Sequence, residues 1–351
     1  KSSRGQKGRK MEISYRIVKE TVCIDKIENP GTVVVVPEEV EGRPVTELGA
    51  YVLSGSRVEE VYLPSHLVKI GAYGFYGCEE LRRLHAYGRL TDLGTGLFAG
   101  VQGVEHLEFT EFAGERSGFK ELLSELRQTL RVTLWRREAD GKTTQARLIF
   151  PEYYEESVEN TPARILFIET HGCGHRYRYC FVNRQFQFRG YDELFPHVKV
   201  QESEELVTEL ALGLYPVELT PRFEAMYRKY VKEHWNAAGR LLIEADSPQK
   251  GRRASLEPGR LPWLVTEILE RAGDGEESVP AEEGKNQLTD RIEALIALAR
   301  EAEDTEMVSW LMDYRHERKD EKQIGEAGRG NAGGQAAEDG SKGRRRRRFE
   351  L

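Results

Sequence analysis

A repeat of 22 to 23 residues constrains the fold of this chain more than any other feature of its sequence. Three units begin at Leu48, Ile70 and Leu93, each with an aliphatic residue followed by glycine. Each unit then reaches a second glycine and runs into a short strand of alternating character, such as "VEEVYL" and "LRRLHA". A single unit of this size cannot bury its own apolar face, so stacked units must share one continuous core. The repeat therefore predicts a β-rich solenoid.

The alternation within the repeat strands separates residues that face the core from residues that face solvent. We expect inward positions at Val61, Leu63, Leu84, Leu107 and Phe109. Leu53, Phe75 and Phe98 occupy the same place in successive units and are predicted to form a ladder behind the sheet. The outward positions form a charged and aromatic column, which is either a binding surface or an ordinary solvated face. The candidate partner-binding residues are Glu60, Tyr62, Arg83, His85, His106 and Glu108.

The most regular unit, "IGAYGFYGCEELRRL", resembles the leucine-rich repeats of the bacterial surface-antigen (BspA-like) type. Ser56 stands where that pattern has cysteine, and Gly74 stands where it has alanine. The resemblance covers about residues 12–110 and implies a binding module without catalytic residues. The matching positions are Ile70, Gly71, Phe75, Gly77, Cys78, Leu81 and Leu84, with Pro64 in the preceding unit.

Two signals follow the repeats directly. Residues 118–130, "GFKELLSELRQTL", place their apolar side chains on one helical stripe, and we expect this helix to cover the open edge of the last repeat. Two alternating runs then flank Asp140–Gly141, a pair typical of a β-hairpin turn. We assign residues 11–130 to the solenoid with its capping helix, and residues 131–200 to a small module rich in β-hairpins.

The stretch "ETHGCGHRYRYCF" contains histidines and cysteines that are possible zinc ligands. Alternating residues on both sides of "GCG" predict a hairpin over residues 165–181, with at least one glycine of the turn at positive φ. In that hairpin Cys180 lies on the opposite face, which leaves His171, Cys173 and His175 at an exposed turn. We treat these three as weak candidates, assign no metal and no cofactor, and keep a metal protein or enzyme built on this module as the alternative function.

The last part of the sequence has helical periodicity. Residues 201–318 are predicted to form a helical domain, interrupted by an acidic linker at about residues 274–288. Its last helix pair weakly resembles an ankyrin-type hairpin. Residues 319–351, rich in glycine and arginine, are predicted to be a disordered tail. Residues 1–10 precede Met11, which we interpret as the natural start, so that they form a non-native or disordered leader.

These segments together predict an α+β protein: a short β-rich leucine-rich-repeat solenoid, a small β module, an α-helical domain and a disordered tail. The pattern contains no phosphate loop, nucleophile elbow or paired-acid motif, so we expect no enzyme. The predicted function is protein–protein interaction or scaffolding through the repeat surface. A second alternative is surface adhesion, which the repeat family often implies when a signal peptide is present.

Composition limits which classes of partner and which cellular compartment suit this chain. The net charge of −7 argues against nucleic-acid binding by the chain as a whole. The run Arg344–Arg348 could contact nucleic acid, pair with the acidic segment 274–304, or simply be solvated. Four cysteines in 351 residues do not form a disulfide framework, and no apolar run has the length of a membrane span. We therefore predict a cytoplasmic bacterial protein with a protein partner of unknown identity and without a membrane span.

Overall fold

The computed structural model describes residues 11–160, 165–246, 256, 259–270 and 281–329. The predicted leader 1–10, residues 274–280 of the predicted linker and the end of the predicted tail, residues 330–351, lie outside these described residues. The chain divides into two compact units, Lys1–Ser278 and Val279–Leu351. The fold is α+β, with a β-solenoid followed by helices, as predicted.

The solenoid is built from two sheets whose strands alternate along the chain. The first sheet contains β1 (Glu12–Val18), β2 (Thr21–Glu28), β4 (Glu39–Val40), β5 (Arg43–Leu48), β7 (Lys69–Ile70) and β9 (Asp92–Leu93). The second sheet, called the repeat sheet below, contains β3 (Val33–Val35), β6 (Glu60–Tyr62), β8 (Arg83–Tyr87), β10 (His106–Phe112), β11 (Leu130–Arg137) and β12 (Thr143–Phe150). Its strands lie side by side in that order, parallel from β3 to β11, and β12 is antiparallel to β11.

The repeat residues fill the space between the two sheets in the predicted register. All five positions predicted to face inward are buried. The predicted ladder is present: Leu53, Phe75 and Phe98 are buried, and the rings of Phe75 and Phe98 stack with their centroids 5.4 Å apart. Each layer of the core therefore repeats the layer before it, as the period of the sequence requires.

The glycine that opens each unit is required by the close approach of successive turns. A Cβ atom on Gly71 would lie 2.5 Å from the backbone nitrogen of Ala50, and one on Gly94 would lie 2.3 Å from that of Ala72. Real Cβ atoms essentially never come so close to backbone atoms. The glycine of each aliphatic–glycine pair therefore lies where the backbone of one unit packs against that of the preceding unit.

The last repeat is followed by more sheet, which corrects the predicted role of the capping helix. Strand β11 pairs in parallel with β10 over residues 106–112 and 131–137, so the edge of β10 is already occupied. The helix, α1 (Phe119–Glu125), instead closes the end of the core, where the Phe119 ring packs 4.9 Å from that of Phe109. The repeat sheet continues across residue 130, and the hairpin predicted at Asp140–Gly141 is confirmed as the β11–β12 connection.

The hairpin predicted over residues 165–181 is wrong. Strand β14 (Ile165–His171) pairs with the preceding strand, β13 (Tyr154–Asn160), and the residues after the glycines form a short helix, α2 (Gly174–Arg178). Gly172 does have the expected positive φ, +89°. The glycines serve a close approach to another segment, because a Cβ atom on Gly174 would lie 1.9 Å from the carbonyl oxygen of Pro151. A contact with residues distant in sequence has overridden the local alternation.

The remainder of the first unit is largely helical. Strands β15 (Phe181–Val182) and β16 (Gln185–Phe186) form a small hairpin before it. Ser203 caps the helix Glu204–Ala211 through a side-chain oxygen that accepts from the backbone N–H of Leu206, and Pro221 is the first residue of the helix Pro221–Glu233. The helices are α3 (Phe188–Glu193), α4 (Phe195–Gln201), α5 (Glu204–Ala211), α6 (Pro221–Glu233), α7 (Trp235–Asp246) and α8 (Leu261–Trp263), which continues into a π-helical segment, Leu264–Leu269.

The second unit contains two helices that pack against each other, α9 (Ala281–Glu301) and α10 (Thr305–Arg329). Leu295 and Leu311 are fully buried within it. Helix α9 begins inside the predicted linker, and α10 continues past residue 319, where the sequence places the start of the tail. None of the helices in the described ranges combines the length and apolar character that crossing a bilayer requires.

Candidate functional site

The outer face of the repeat sheet brings all six candidate residues together. The parallel register places Glu60, Arg83 and His106 side by side on β6, β8 and β10. Two residues further along the same strands, Tyr62, His85 and Glu108 form a second row. The alternation of the repeat strands is sufficient to produce both rows, because every second residue of a strand faces the same way.

His85 is the centre of this face. Its Nε2 atom lies 2.7 Å from an oxygen of Glu60, and its Nδ1 atom lies 2.9 Å from an oxygen of Glu108. The Tyr62 ring stacks on the imidazole, with 3.8 Å between the ring centroids and 10° between the planes. Tyr62 also donates its hydroxyl to Glu60 over 3.0 Å. Every polar atom of the imidazole is therefore occupied, and its ring is covered on one side by an aromatic side chain.

The two carboxylates favour the charged form of His85. Burial lowers the pKa of His85, but the hydrogen bonds to Glu108 and Glu60 outweigh burial, so the pKa is raised above its usual value. The same hydrogen bond from His85 lowers the pKa of Glu108. The two pKa shifts run in opposite directions, and both favour the charged forms, as expected for an imidazole hydrogen-bonded to carboxylates.

Three residues beyond the repeats complete this face, and the sequence did not single them out. Trp135 on β11 donates its indole N–H to Glu108 over 2.7 Å. Arg131, also on β11, forms a two-pronged ion pair with Glu209 of α5, at 2.6 and 2.8 Å. The alternation of "RVTLWRR" would have placed Arg131 and Trp135 on this face once β11 was known to extend the repeat sheet. Glu209 has no comparable signal, because its approach depends on how α5 packs.

Helix α5 limits the part of the face that is open to solvent. The Glu209 side chain is completely buried, and Arg131 keeps only 20% of its side-chain exposure. The sequence leaves open whether the column is fully solvated, and the structure shows that its β10–β11 end is half-buried. The open end lies at β3 and β6, where Val33, Val35 and Tyr62 are exposed. The face therefore has an exposed apolar edge at β3 and β6, and a partly enclosed polar corner at β10 and β11.

A small cavity occupies that polar corner, with a volume of about 220 Å³. It lies between the two rows, above the buried residues Leu84 and Leu107. The polar residues that line it are Glu60, Arg83, His85, His106, Glu108, Arg131 and Thr133.

The three weak metal candidates do not converge on a common point. His171 stacks on Tyr154, with 4.7 Å between ring centroids. Cys173 is buried and hydrogen-bonded to Glu202, which together raise its pKa to about 12. His175 packs against the ring of Tyr153. Across the described ranges, no three His, Cys, Asp or Glu side chains are grouped so that they could hold a metal ion.

Comparison with known proteins shows that the repeats are similar to those of a known family. Residues 45–117 match the family model of the BspA type leucine rich repeat region, which has six copies of the repeat. None of the curated proteins searched matches the chain. The weak ankyrin-type resemblance of the last helix pair has no counterpart among these matches and stays a prediction.

The chain is also similar to solved leucine-rich repeat structures. A leucine-rich repeat protein of T. pallidum matches with 17% identity and a TM-score of 0.20, over 30% of this chain and 75% of that one. A leucine rich cell surface protein from Faecalibacterium prausnitzii matches with 13% identity and a TM-score of 0.24, over 38% of this chain and 59% of that one. A leucine-rich repeat protein from Bacteroides ovatus matches with 15% identity and a TM-score of 0.18, over 33% of this chain and 51% of that one.

Proposed function

We propose that this chain, whose residues 45–117 are a BspA-type leucine-rich repeat region, is a non-catalytic interaction protein that binds a protein partner through the outer face of its repeat sheet. Tyrosine and arginine, the residue types that most often carry binding energy, both lie on that face. The exposed Val33 and Val35 add an apolar edge next to Tyr62. An apolar centre beside polar groups is the usual composition of an interface.

The fixed stack of Tyr62 on His85 is the observation that carries this proposal. Side chains that are immobile before binding lose little conformational entropy when a partner docks. Here two carboxylates hold the imidazole, and the imidazole supports the tyrosine ring, whose side chain is 36% exposed. Tyr62 is therefore a preorganised aromatic surface at the border between the apolar edge and the polar corner.

The open part of the sheet is too narrow to form an interface alone. Adjacent strands lie about 4.8 Å apart, while a standard interface covers about 800 Å² on each partner. The loops that follow Leu63 and Ala86 border the same face, and we propose that they contribute to the contact. We further propose a cytoplasmic location, which the four free cysteines support, since disulfides are rare in that compartment.

The test is partner capture by the full chain with two matched double variants. Tyr62→Ala with Arg83→Ala should abolish capture while changing the free energy of unfolding by no more than about 1 kcal/mol. The control is Tyr76→Ala with Arg57→Ala, which removes the same residue types from exposed positions outside the strands of the repeat sheet. Capture should persist in the control. Equal capture by both variants would show that the partner binds elsewhere.

A further inference from the structure

Three basic side chains line the cavity of the repeat face in a single row. Arg83, His106 and Arg131 occupy equivalent positions on β8, β10 and β11, which are neighbours in the sheet. All three line the cavity of about 220 Å³. Neighbouring strands bring such residues within about 5 Å of one another along the sheet. The two guanidinium groups flank His106, and two like charges so placed favour an anion between them.

Apart from Arg83, the charged side chains of this face are already paired with one another. Glu60 and Glu108 both bind His85, and Arg131 is held by Glu209. The Arg83 side chain makes no hydrogen bond or ion pair with any residue that the structure describes. Its guanidinium keeps its donors free on the wall of a cavity, and a planar carboxylate is the group that such donors match in pairs.

The state of His106 reports the electrostatic character of this corner. Burial, together with the charges of Arg131 and Arg83, lowers the pKa of His106 to about 4. The imidazole is therefore neutral near pH 7, and among the described residues Arg83 is left as the basic side chain of the row without a hydrogen-bonded carboxylate. Because Arg131 is already paired with Glu209, a carboxylate entering beside His106 would offset the Arg83 charge and favour the protonated imidazole.

The size of the cavity indicates what part of a partner it receives. Pockets that enclose drug-sized molecules have volumes of about 300–1,000 Å³. A volume of about 220 Å³ is below that range, and it suits one side chain with a few methylene groups rather than a whole cofactor. The cavity also lies next to the exposed Tyr62 surface, so a partner lying on that surface can place a side chain in it.

We infer that the cavity receives an aspartate or glutamate side chain of the protein partner, whose carboxylate is bound by Arg83 and His106. This inference rests on the proposed function, because it names the group that the partner contributes to the same face. Binding should take up a proton at His106 and should therefore strengthen as the pH is lowered from 7 to 5. The charged groups around His106 are Glu60 on β6, Arg83 and His85 on β8, Glu108 on β10, Arg131 on β11, and Glu205 and Glu209 on α5.

The experiment uses the full chain labelled with ¹³C in its histidine rings and two capped tripeptides as probes. Acetyl-Gly-Glu-Gly-amide carries one carboxylate, and acetyl-Gly-Gln-Gly-amide is its neutral counterpart. His106 is assigned by its loss in His106→Gln. The glutamate peptide should shift the His106 ring signals and raise the pKa of His106, whereas the glutamine peptide should do neither.

Two arginine variants locate the binding group. Arg83→Gln should weaken binding of the glutamate peptide at least about tenfold, as expected for loss of a charge-assisted pair. Arg57→Gln, at an arginine that is 88% exposed on another turn, should leave it unchanged. In each variant, unperturbed ring signals of the other histidines show that the protein is folded. His106→Gln should abolish the pH dependence of peptide binding even though Arg83 is still present.

The possible results separate this inference from the proposed function. If neither peptide moves His106 while the Tyr62→Ala, Arg83→Ala variant still loses the partner, the carboxylate assignment is overturned and the interaction surface stands. If inorganic phosphate binds and the glutamate peptide does not, the assignment is likewise overturned. If the glutamate peptide binds at Arg83 but the double variant keeps its partner, the cavity binds carboxylates and the proposed interaction surface fails.

Discussion

The repeat region and the region that follows it build their cores in different ways. In the solenoid, layers of aliphatic and aromatic side chains repeat from turn to turn, as in the stacked pair Phe75 and Phe98. From the end of β10 onward, single polar groups are buried among apolar ones. Among the described residues, the buried polar side chains are Thr110, Glu111, Arg178, Asp192, Thr208 and Glu209, and none of them precedes residue 110.

This difference shows two ways of specifying a fold. A repeated layer forms when an apolar residue of suitable size recurs at the right period. A substitution in one unit then disturbs one layer of the core. A buried polar group must find all its partners at once, since each partner left unsatisfied costs free energy. We expect the stability of the solenoid to depend most on the volume of its core side chains. The stability of the following region should depend most on its buried hydrogen bonds.

Arg178 gives the largest expected effect. Its side chain is fully buried and donates hydrogen bonds to the carbonyl oxygens of Leu126, Gln128, Pro151 and Gly174, which come from three separate segments. Burial lowers its pKa to about 10, so it remains charged near pH 7. Arg178→Met should leave several carbonyls without donors and lower the free energy of unfolding in urea by about 5 kcal/mol.

The control for this variant is Arg176→Met on the same short helix. Arg176 is exposed, and its replacement should change the free energy of unfolding by no more than about 0.5 kcal/mol. A comparable loss in both variants would mean that helix propensity, and not the hydrogen bonds of Arg178, is responsible.

Phe75→Ala tests the solenoid in the same way. Phe75 is fully buried between the layers of Leu53 and Phe98, so truncation should leave a cavity and lower the free energy of unfolding by about 3–5 kcal/mol. Tyr76→Ala, at the exposed neighbour, is the control and should cost less than about 1 kcal/mol. A cost below about 1 kcal/mol for Phe75→Ala in urea melts would contradict the assigned register of the repeats.

Asp192 makes the second region dependent on pH. It accepts hydrogen bonds from Tyr215 and Tyr227, but burial outweighs them and raises its pKa to about 6. The folded protein therefore binds a proton that the unfolded chain releases between about pH 4 and pH 6, and stability from this group falls as the pH rises. The free energy of unfolding of Asp192→Asn, taken relative to that of the natural protein, should therefore increase by about 3 kcal/mol between pH 4 and pH 7.5.

The measurement is the difference in free energy of unfolding between the two proteins across that pH range. A difference that does not change with pH would contradict the buried state of this carboxyl. Variants of the solenoid such as Phe75→Ala should show no such trend, which sharpens the contrast between the two cores.

The sequence predicted the fold in most detail where contacts are repeated. The 22- and 23-residue spacing gave the strands, the inward residues and the ladder, because each unit meets a near copy of itself. It misassigned "ETHGCGHRYRYCF", where the alternation suggested a hairpin. The deciding contacts there are with the backbone at Pro151 and with the Arg178 hydrogen bonds, and neither leaves a pattern in the local sequence.

The candidate site shows the same limit. Alternation placed six residues on one face, and the structure brings those six together on β6, β8 and β10. Trp135, Arg131 and Glu209 were missed, because β11 joins the sheet from outside the recognisable repeat and α5 covers its end. These three residues turn an open column into a face with one exposed and one enclosed end. Whether that face is the binding surface stays a prediction.

Site-specific photo-crosslinking tests this central claim most directly. A benzophenone amino acid replaces either Tyr62, on the repeat sheet, or Val200, which is 85% exposed in the helical region. On irradiation of the full chain in cell extract, position 62 should form a crosslink to one protein partner and position 200 should not. A crosslink from position 200 with none from position 62 would show that the helical region is the binding surface and that the repeats are its scaffold.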